Sequence, residues 1–267
     1  MKLFNCFAQA GYHTSVITTF SIDFGAYESI VLPRLRDAGC NNNILIADAR
    51  MLAHAMEECF GRPRFAGRRY SVVGASASGV FHPKLILQLG KNSGRLLVAS
   101  ANMTAAGLAG NLEVVGEVTT DEDDTQSLPL FHAAIEYLTG FLPATSVARR
   151  QIDWALKRTH WLSGTAQRNP VVELVEGGRL GFLTRNDEQG LGELFIELVG
   201  RRKVKRLIAI SPYWDPDLKA LRALPDGLAA QKTSVVIQRQ SALFPAAALR
   251  PREGIRVFDV NEVEGTK

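Results

Sequence analysis

The chain has 267 residues, of which 46% are hydrophobic, enough for one large α/β domain with a buried core or for one and a half smaller ones. Its 31 basic and 27 acidic residues give a net charge of +4, which permits nucleic-acid binding but argues for it only weakly. No apolar run approaches the roughly 18 residues of a membrane span, and the N-terminus does not resemble a signal peptide. Cys6, Cys40 and Cys59 show neither metal nor disulfide spacing. These features exclude a membrane partner and indicate a cytoplasmic protein.

Strand-like and helix-like segments alternate along the first half of the chain. Residues 15–22 are β-branched and aromatic, as in a strand, and residues 26–38 carry a helical period that ends at Gly39. The patterns predict, in chain order, a further strand at 43–48, a helix at 49–60, strands at 70–74, 80–89, 96–100 and 113–119, and a helix at 128–142. This alternation indicates an α/β fold with a mixed or largely parallel sheet that helices cover on both faces.

The second half of the chain repeats the opening pattern of the first. We expect an N-terminal unit at 1–145, a helical connector at 146–177 with a helix around 154–161, and a second unit at 178–267 that has a strand at 204–212, a helix at 217–224 and a strand at 233–238. Asp23 and Asp215 lie 192 positions apart, and Ile44 and Val235 lie 191 apart. A displacement this constant over two elements indicates an internal duplication.

A group of polar residues interrupts two neighbouring apolar segments. His82 and Lys84 form a His-x-Lys pair in the predicted strand at 80–89, and Ser100, Asn102 and Thr104 end the strand that follows. The two-residue period of a strand places His82 and Lys84 on one face, and Ser100 and Asn102 on one face of theirs. If the two strands are neighbours, an imidazole, an ammonium group and neutral hydrogen-bonding groups converge. Covalent attack on a phosphodiester requires such a set.

This stretch resembles one half-site of the phospholipase D superfamily, whose signature is a His-x-Lys followed by a Gly/Ser-x-Asn strand end. The family usually has an Asp a few residues after the Lys, but residues 85–89 here read Leu-Ile-Leu-Gln-Leu. That departure points to the His-Lys-Asn variant of tyrosyl-DNA phosphodiesterases and metal-independent restriction endonucleases, and Asn102 follows His82 by a similar 20 positions. The Asn-x-Thr-x-x-Gly-Leu ending at 102–108, followed by Asn111 and Glu113, resembles nuclease-like modules of bacterial restriction and phage-defence proteins.

The resemblance implies a role for each of three residues. His82 is expected to attack phosphorus and form a phosphohistidine, while a second histidine protonates the leaving oxygen and then activates water. Lys84 and Asn102 are expected to bind the non-bridging oxygens, Lys84 as a point charge and Asn102 as a neutral donor. The resemblance implies neither a metal nor another cofactor. The acidic run at residues 121–124 is accordingly interpreted as a solvated loop.

Three further residues of the motif have weaker support. Ser100 or Thr104 is expected to add a hydroxyl donor to the site. Glu113 is placed so that its carboxylate can hydrogen-bond an imidazole nitrogen and fix its tautomer. An exposed strand glutamate without a catalytic role is an equally good interpretation of Glu113.

A basic loop precedes the predicted His-Lys strand. Phosphate neutralisation would use such guanidinium groups, and binding would then weaken steeply with salt. Flanking Gly and Pro residues indicate a shaped loop and not a helix face. We therefore expect nucleic acid, with DNA favoured, to bind through the four arginines of this loop, Arg62, Arg64, Arg68 and Arg69.

The duplication predicts where a second half-site would fall. A second His-x-Lys is expected near position 273, or near 269 with shorter loops, and no histidine follows His160 in the sequence. We expect the missing half from a longer chain, of which this is a fragment, or from a homodimer. The preferred function is a metal-independent nuclease or DNA phosphodiesterase of bacterial defence or DNA processing. The alternatives are an inactive nucleic-acid-binding or assembly module and, less favoured, a lipid phosphodiesterase.

Overall fold

The computed structural model describes residues 2–57, 62–77, 79–162, 164, 170–174, 177–185, 189–200, 203–240, 243–249 and 254–262. The chain divides into two compact units, Met1–Phe182 and Leu183–Lys267. The strand pair β7 (Val171–Glu173) and β8 (Arg179–Gly181) belongs to the first unit. Each unit has its own sheet and is described by itself.

The first unit is built on a six-stranded mixed sheet. Its strands are β1 (Tyr12–Thr19), β2 (Asn42–Asp48), β3 (Ser71–Ala75), β4 (Leu85–Gly90), β5 (Ser93–Ala99) and β6 (Val115–Asp121). Their spatial order is β3-β2-β1-β4-β5-β6. β1, β2 and β3 run parallel, whereas β4, β5 and β6 pair antiparallel with their neighbours. The predicted mixed sheet is therefore confirmed.

Helices cover both faces of this sheet. They are α1 (Phe24–Ala26), a π-helical segment (Tyr27–Val31), α2 (Leu32–Asp37), α3 (Ala49–Glu57), α4 (Leu128–Thr139) and α5 (Val147–Leu156). Val16 of β1 packs with Phe131 and Ile152 of α4 and α5. Its neighbour Ile17 points the other way and packs with Leu35 of α2 and with Phe7 of the N-terminal segment. The alternation of buried side chains along each strand builds one core on each face.

Among the elements that begin at residues other than those predicted, one bears on the site and one on the connector. β4 begins at Leu85, so His82 and Lys84 lie in the extended segment before it and not in the strand. Pro83 has no N–H to donate to a strand ladder, which delays the start of β4. The helix predicted around 154–161 is instead α5, which begins after Ser146 because the Ser146 side chain accepts a hydrogen bond from the N–H of Arg149.

The second unit repeats the first three strands of the fold. Its parallel strands β9 (Arg206–Ile210), β10 (Lys232–Ile237) and β11 (Ile255–Asp259) have the order β11-β10-β9, which matches β3-β2-β1. Helix α6 (Leu191–Val199) precedes them, and α7 (Lys219–Gly227) joins β9 to β10 as α1 and α2 join β1 to β2. The fold therefore contains one complete half and part of a second.

The residue of β2 that corresponds to Val235 of β10 differs from the one expected. Val235 packs with Leu221 of α7, and in the first unit it is Leu45 that faces the equivalent helix, whereas Ile44 faces the opposite core. Leu45 therefore corresponds to Val235, and the match of Ile44 with Val235 was wrong by one residue, which reverses the face of a strand. Asp23 and Asp215 do correspond, since each carboxylate accepts a backbone N–H at the start of the following helix.

In the part of the chain that the structure describes, no helix combines the length and the apolar character needed to cross a bilayer.

Cys6 and Cys40 are buried free cysteines, and burial raises the pKa of the Cys40 thiol to about 12. Cys59 lies outside the described residues. A thiol with so high a pKa stays protonated and unreactive at neutral pH.

Candidate active site

The predicted site residues lie at one edge of the six-stranded sheet. Ile17 of β1 pairs with Ile86 of β4, and Leu85 of β4 pairs with Val98 of β5. The ends of β1, β2 and β5 and the start of β4 therefore share one edge, which we call the site edge. The segments 82–84 and 100–102 flank these pairs and meet there, as predicted from the spacing of the motif.

His82 and Lys84 are in direct contact at the site edge. The Lys84 ammonium nitrogen Nζ lies 2.9 Å from Nδ1 of His82 and 3.3 Å from Nε2, and it also donates to the His82 carbonyl oxygen at 3.3 Å. Lys84 is buried, with 8% of its surface exposed, whereas His82 is exposed. A cation is thus fixed beside the exposed imidazole, where a bound phosphate would contact both.

The environment favours the uncharged form of both groups. Partial removal from water lowers the pKa of His82, the Lys84 charge lowers it further, and the carboxylate of Asp48 opposes the shift. Desolvation also lowers the pKa of Lys84, while Glu113 opposes that shift. An imidazole whose pKa is lowered is neutral at physiological pH, and the neutral form is the nucleophile.

The amide of Asn102 is held by the end of β1. Its oxygen Oδ1 accepts hydrogen bonds from the backbone N–H groups of Phe20 and Ser21, at 3.3 and 3.4 Å, while the Thr19 hydroxyl donates its hydrogen to the Ser21 carbonyl at 2.7 Å. Within the described residues, no group accepts from the other end of the amide, Nδ2. A donor with fixed orientation is therefore available for a phosphoryl oxygen. The Phe20 ring also lies 4.8 Å from the His82 ring, between centroids.

A helical turn supports Asn102 from the other side. The Thr104 hydroxyl accepts from the N–H of Gly107 at 3.2 Å and caps the π-helical turn Ala106–Gly110. A Cβ atom at Gly107 would lie 2.3 Å from the Asn102 carbonyl oxygen and 2.9 Å from its backbone nitrogen. Only glycine allows the turn to approach Asn102 this closely.

We expect a Gly107→Ala substitution to displace Asn102 and to cost roughly 1–3 kcal/mol in stability through overpacking. Gly110→Ala in the same turn is the matched control, because its Cβ would meet only the Cβ of Ala106, at 3.8 Å. Thermal unfolding of the two variants measures the difference. Equal stability of both variants would show that the close approach of Gly107 to Asn102 is unimportant to the structure of the site.

Ser100 and Glu113 form a hydrogen-bonded pair next to the site. The Ser100 hydroxyl donates to the Glu113 carboxylate and accepts from the N–H of Val114 at 3.0 Å. The Asn111 amide donates to the same carboxylate at 3.1 Å. Both carboxylate oxygens of Glu113 thus have partners other than His82, although its charge acts on Lys84. The predicted role of Glu113 in orienting an imidazole stays a prediction.

The basic loop packs against the helix that follows β1. The Glu28 carboxylate accepts from the N–H groups of Arg64 and Phe65, at 3.0 and 2.9 Å, and from the Tyr70 hydroxyl at 2.8 Å. The Arg69 guanidinium lies over the Phe65 ring at 4.3 Å. The loop is thus shaped as expected and exposes all four guanidinium-bearing residues, Arg62, Arg64, Arg68 and Arg69.

Three polar residues that the sequence analysis did not single out also shape the site. The buried Thr18 hydroxyl donates to the Pro83 carbonyl at 3.0 Å and accepts from the N–H of Leu85 at 2.8 Å, so it replaces the ladder contacts that Pro83 interrupts. The Thr19 hydroxyl accepts from the N–H of Met103 at 3.0 Å. Asp48 ends β2. Their shared signal was a polar side chain at the carboxyl end of an apolar strand, where sites of α/β sheets lie.

The acidic run at residues 121–124 closes a turn. The Asp121 carboxylate accepts from the backbone N–H groups of Asp123 and Asp124, at 2.9 and 2.8 Å. Among the described residues, no three His, Cys, Asp or Glu side chains are grouped as a metal site requires.

The sheet order and the internal repeat agree with the expected phospholipase-D-like fold. No model of a protein family matches the sequence, and no curated protein matches it. Solved structures do match. A His-to-Asn mutant of yeast tyrosyl-DNA phosphodiesterase aligns with a TM-score of 0.54 at 10% identity, covering 88% of this chain and 60% of that one. Another crystal structure of the yeast enzyme gives 0.51 at 10% identity, covering 88% and 61%.

The chain spans about three fifths of the length of the yeast enzyme. A polyphosphate kinase from Porphyromonas gingivalis aligns over 96% of this chain and 38% of that one, at 15% identity and a TM-score of 0.49. At such identities the likeness concerns the fold. The chemistry must therefore be argued from the residues at the site edge.

Proposed function

We propose that this protein is a phosphodiesterase that cleaves nucleic acid, with DNA favoured, through a phosphohistidine intermediate. One observation carries the proposal. The exposed imidazole of His82, with a lowered pKa, lies 2.9 Å from the buried ammonium group of Lys84. Beside them, the amide of Asn102 is held by its oxygen, and its NH₂ group is available to donate. A nucleophile, a charge and a neutral donor at one place are what phosphoryl transfer needs. The phospholipase-D-like fold supports this chemistry.

In the proposed first step, a ring nitrogen of His82 attacks phosphorus. A P–N bond forms, and the bond from phosphorus to the leaving oxygen breaks. Lys84 and Asn102 hold the non-bridging oxygens, and their interactions strengthen as charge develops there. A second imidazole protonates the leaving oxygen and then removes a proton from the water that hydrolyses the phosphohistidine.

We propose that this second imidazole belongs to another half-site, supplied by a longer chain or by a second copy in a homodimer. Glu113 is a candidate to orient it, because Ser100 and Asn111 fix its carboxylate without using His82. The arginines of the basic loop are proposed to bind the nucleic-acid backbone, with affinity that falls as salt rises. A role in antiphage defence or DNA processing is part of the same proposal.

An aryl phosphodiester tests the proposal even where only one half-site is present. p-Nitrophenolate leaves without being protonated, so formation of the phosphohistidine needs His82, Lys84 and Asn102 but no second imidazole. With bis(p-nitrophenyl) phosphate and EDTA, we expect a burst of about one equivalent of p-nitrophenol per site, and a phosphoryl group on the protein that is labile to acid and stable to base. Absence of both would contradict the proposal.

Labelled single-stranded and duplex DNA and RNA, in EDTA and at increasing protein concentration, test the substrate class. Specific activity that rises with protein concentration would assign the second half-site to a second copy. The second candidate function is an inactive nucleic-acid-binding or assembly module, which the single histidine of the described site edge favours. Salt-dependent binding of DNA without cleavage or burst would support that alternative.

A further inference from the structure

Asp48 is the last residue of β2 and is almost fully buried, with 6% of its surface exposed. One carboxylate oxygen, Oδ1, accepts from the N–H groups of Arg50 and Met51 at 3.0 and 3.1 Å, and so caps α3. The other oxygen, Oδ2, accepts from the N–H of Phe81 at 3.1 Å. The capping of α3 uses one oxygen, and the second is committed to the residue before His82.

This second contact fixes the start of the segment that carries the nucleophile. The Phe81 side chain is 2% exposed and packs against the Phe141 ring, with 4.8 Å between centroids. Its backbone is held by Asp48, and two residues later the Pro83 carbonyl is held by the Thr18 hydroxyl. The chain is therefore braced on both sides of His82. The imidazole itself is exposed.

The carboxylate also acts on His82 through its charge. Desolvation and the charge of Lys84 lower the pKa of His82, whereas the charge of Asp48 and a hydrogen bond of the His82 backbone raise it. The Glu113 carboxylate acts on Lys84. The aromatic neighbour of His82, Phe20, carries no charge. The negative charge of Asp48 therefore keeps the pKa of His82 from falling further.

We propose that Asp48 is a positioning residue of the active site: its Oδ2 braces the backbone of Phe81 and thereby places His82 beside Lys84. The effect of Asp48 on catalysis rests on the proposed phosphodiesterase function, whereas the hydrogen bond that holds the Phe81 backbone does not depend on that function. Asp23 provides an internal comparison. It caps the helix after β1 through Oδ1, which accepts from the N–H of Ala26 at 3.0 Å, and its carboxylate accepts no hydrogen bond from residues 81–84.

The substitution Asp48→Asn removes the contact of Oδ2 with Phe81 and keeps the contacts of Oδ1 that cap α3. Asparagine is as good an N-cap as aspartate, so Oδ1 can still accept from Arg50 and Met51, while the NH₂ group that replaces Oδ2 cannot accept from Phe81. In the full chain, NMR is expected to show a lower pKa for His82 and faster amide exchange at Phe81, by about tenfold or more, since a charge-assisted bond is lost. Exchange within α3 should not change.

Asp23→Asn is the matched control and should alter neither the pKa of His82 nor the exchange at Phe81. His82→Gln identifies the His82 resonance. For the burst with bis(p-nitrophenyl) phosphate, Asp48→Asn should lower the rate constant about tenfold or more at nearly constant KM, with the acid limb of the pH profile moved to lower pH.

An unchanged pKa and unchanged Phe81 exchange in Asp48→Asn would overturn the proposal. So would an equal response to Asp23→Asn, because the effect would then be that of any lost charge at the site edge. If wild-type protein gives no burst, the proposed function fails. In that case, the pKa of His82 and the amide exchange at Phe81 still test whether Asp48 holds the backbone of Phe81.

Discussion

Replacing His82 with glutamine is expected to abolish both the burst and the turnover of phosphodiester hydrolysis, by at least about three orders of magnitude in rate. Glutamine has a similar reach but no nitrogen that can form a P–N bond. Because His82 is exposed, its loss should change the free energy of unfolding by no more than about 0.5 kcal/mol. Stopped-flow measurement of p-nitrophenol release and a denaturant titration of the same sample test both parts.

His160→Gln is the matched control, since His160 is exposed and follows α5. It should retain the burst amplitude and the rate of the wild type. A burst that survives in His82→Gln would rule out His82 as the nucleophile and with it the proposed intermediate. Salt-dependent DNA binding that persists in His82→Gln without cleavage would show that recognition and chemistry use different residues, as the basic loop suggests.

The convergence of His82, Lys84 and Asn102 was predictable because their strands form a hairpin. Only Lys91 and Asn92 separate β4 from β5, so the two strands must be antiparallel neighbours. A residue just before β4 and a residue just after β5 then meet at the same edge. Local sequence carries this information, since apolar alternation gives the strands and the short turn gives their pairing.

The hydrogen bonds that hold the segment around His82 could not be derived from local sequence. Asp48 contacts the backbone of Phe81 across 33 positions, and Thr18 contacts Pro83 across 65. Neither contact leaves a periodic pattern, because each joins a side chain to a backbone group of a distant segment. Only the fold brings the ends of β1 and β2 next to the start of β4. The sequence shows an Asp at the end of an apolar strand, but neither its burial nor its partner.

One of the two differences had a signal in the sequence, and the other could be resolved only from the structure. Pro83 indicated that the predicted strand starts only at Leu85, since proline cannot donate in a ladder. The match of Ile44 with Val235 placed two residues of opposite faces together, because a displacement that changes by one residue reverses a strand. Matching each strand by the face that meets its helix gives Leu45 with Val235, and this criterion was available only from the structure.

Lys84 shows how the chemistry of the site opposes the stability of the fold. Its ammonium group is buried, with no carboxylate within ion-pairing distance among the described residues, and desolvation lowers its pKa. A lysine whose folded pKa is below its unfolded value destabilises the folded state when it is charged. The penalty is present at neutral pH and fades as the pH rises through and above the folded pKa. The proposed function gives this buried ammonium group a role that packing does not.

Lys84→Met should therefore lower activity while leaving stability equal to or above that of the wild type. Loss of the charge on the phosphoryl oxygens is expected to reduce the burst rate by about two to four orders of magnitude. Methionine fills the same space without a charge, so the thermal midpoint at pH 7 should not fall. The pKa of His82 should rise, because Lys84 is one of the two causes that lower it. Kinetics, calorimetry and NMR titration measure these three effects.

Lys91→Met is the control, since Lys91 is an exposed lysine in the turn between β4 and β5, at the end of β4 opposite to the site edge. It should leave the burst rate and the pKa of His82 unchanged. A Lys84→Met variant that is markedly less stable than the wild type would show that the ammonium group is structurally required. An unchanged pKa of His82 in that variant would mean that the 2.9 Å contact between the two side chains does not govern the nucleophile, and the proposed pairing of charge and imidazole would fail.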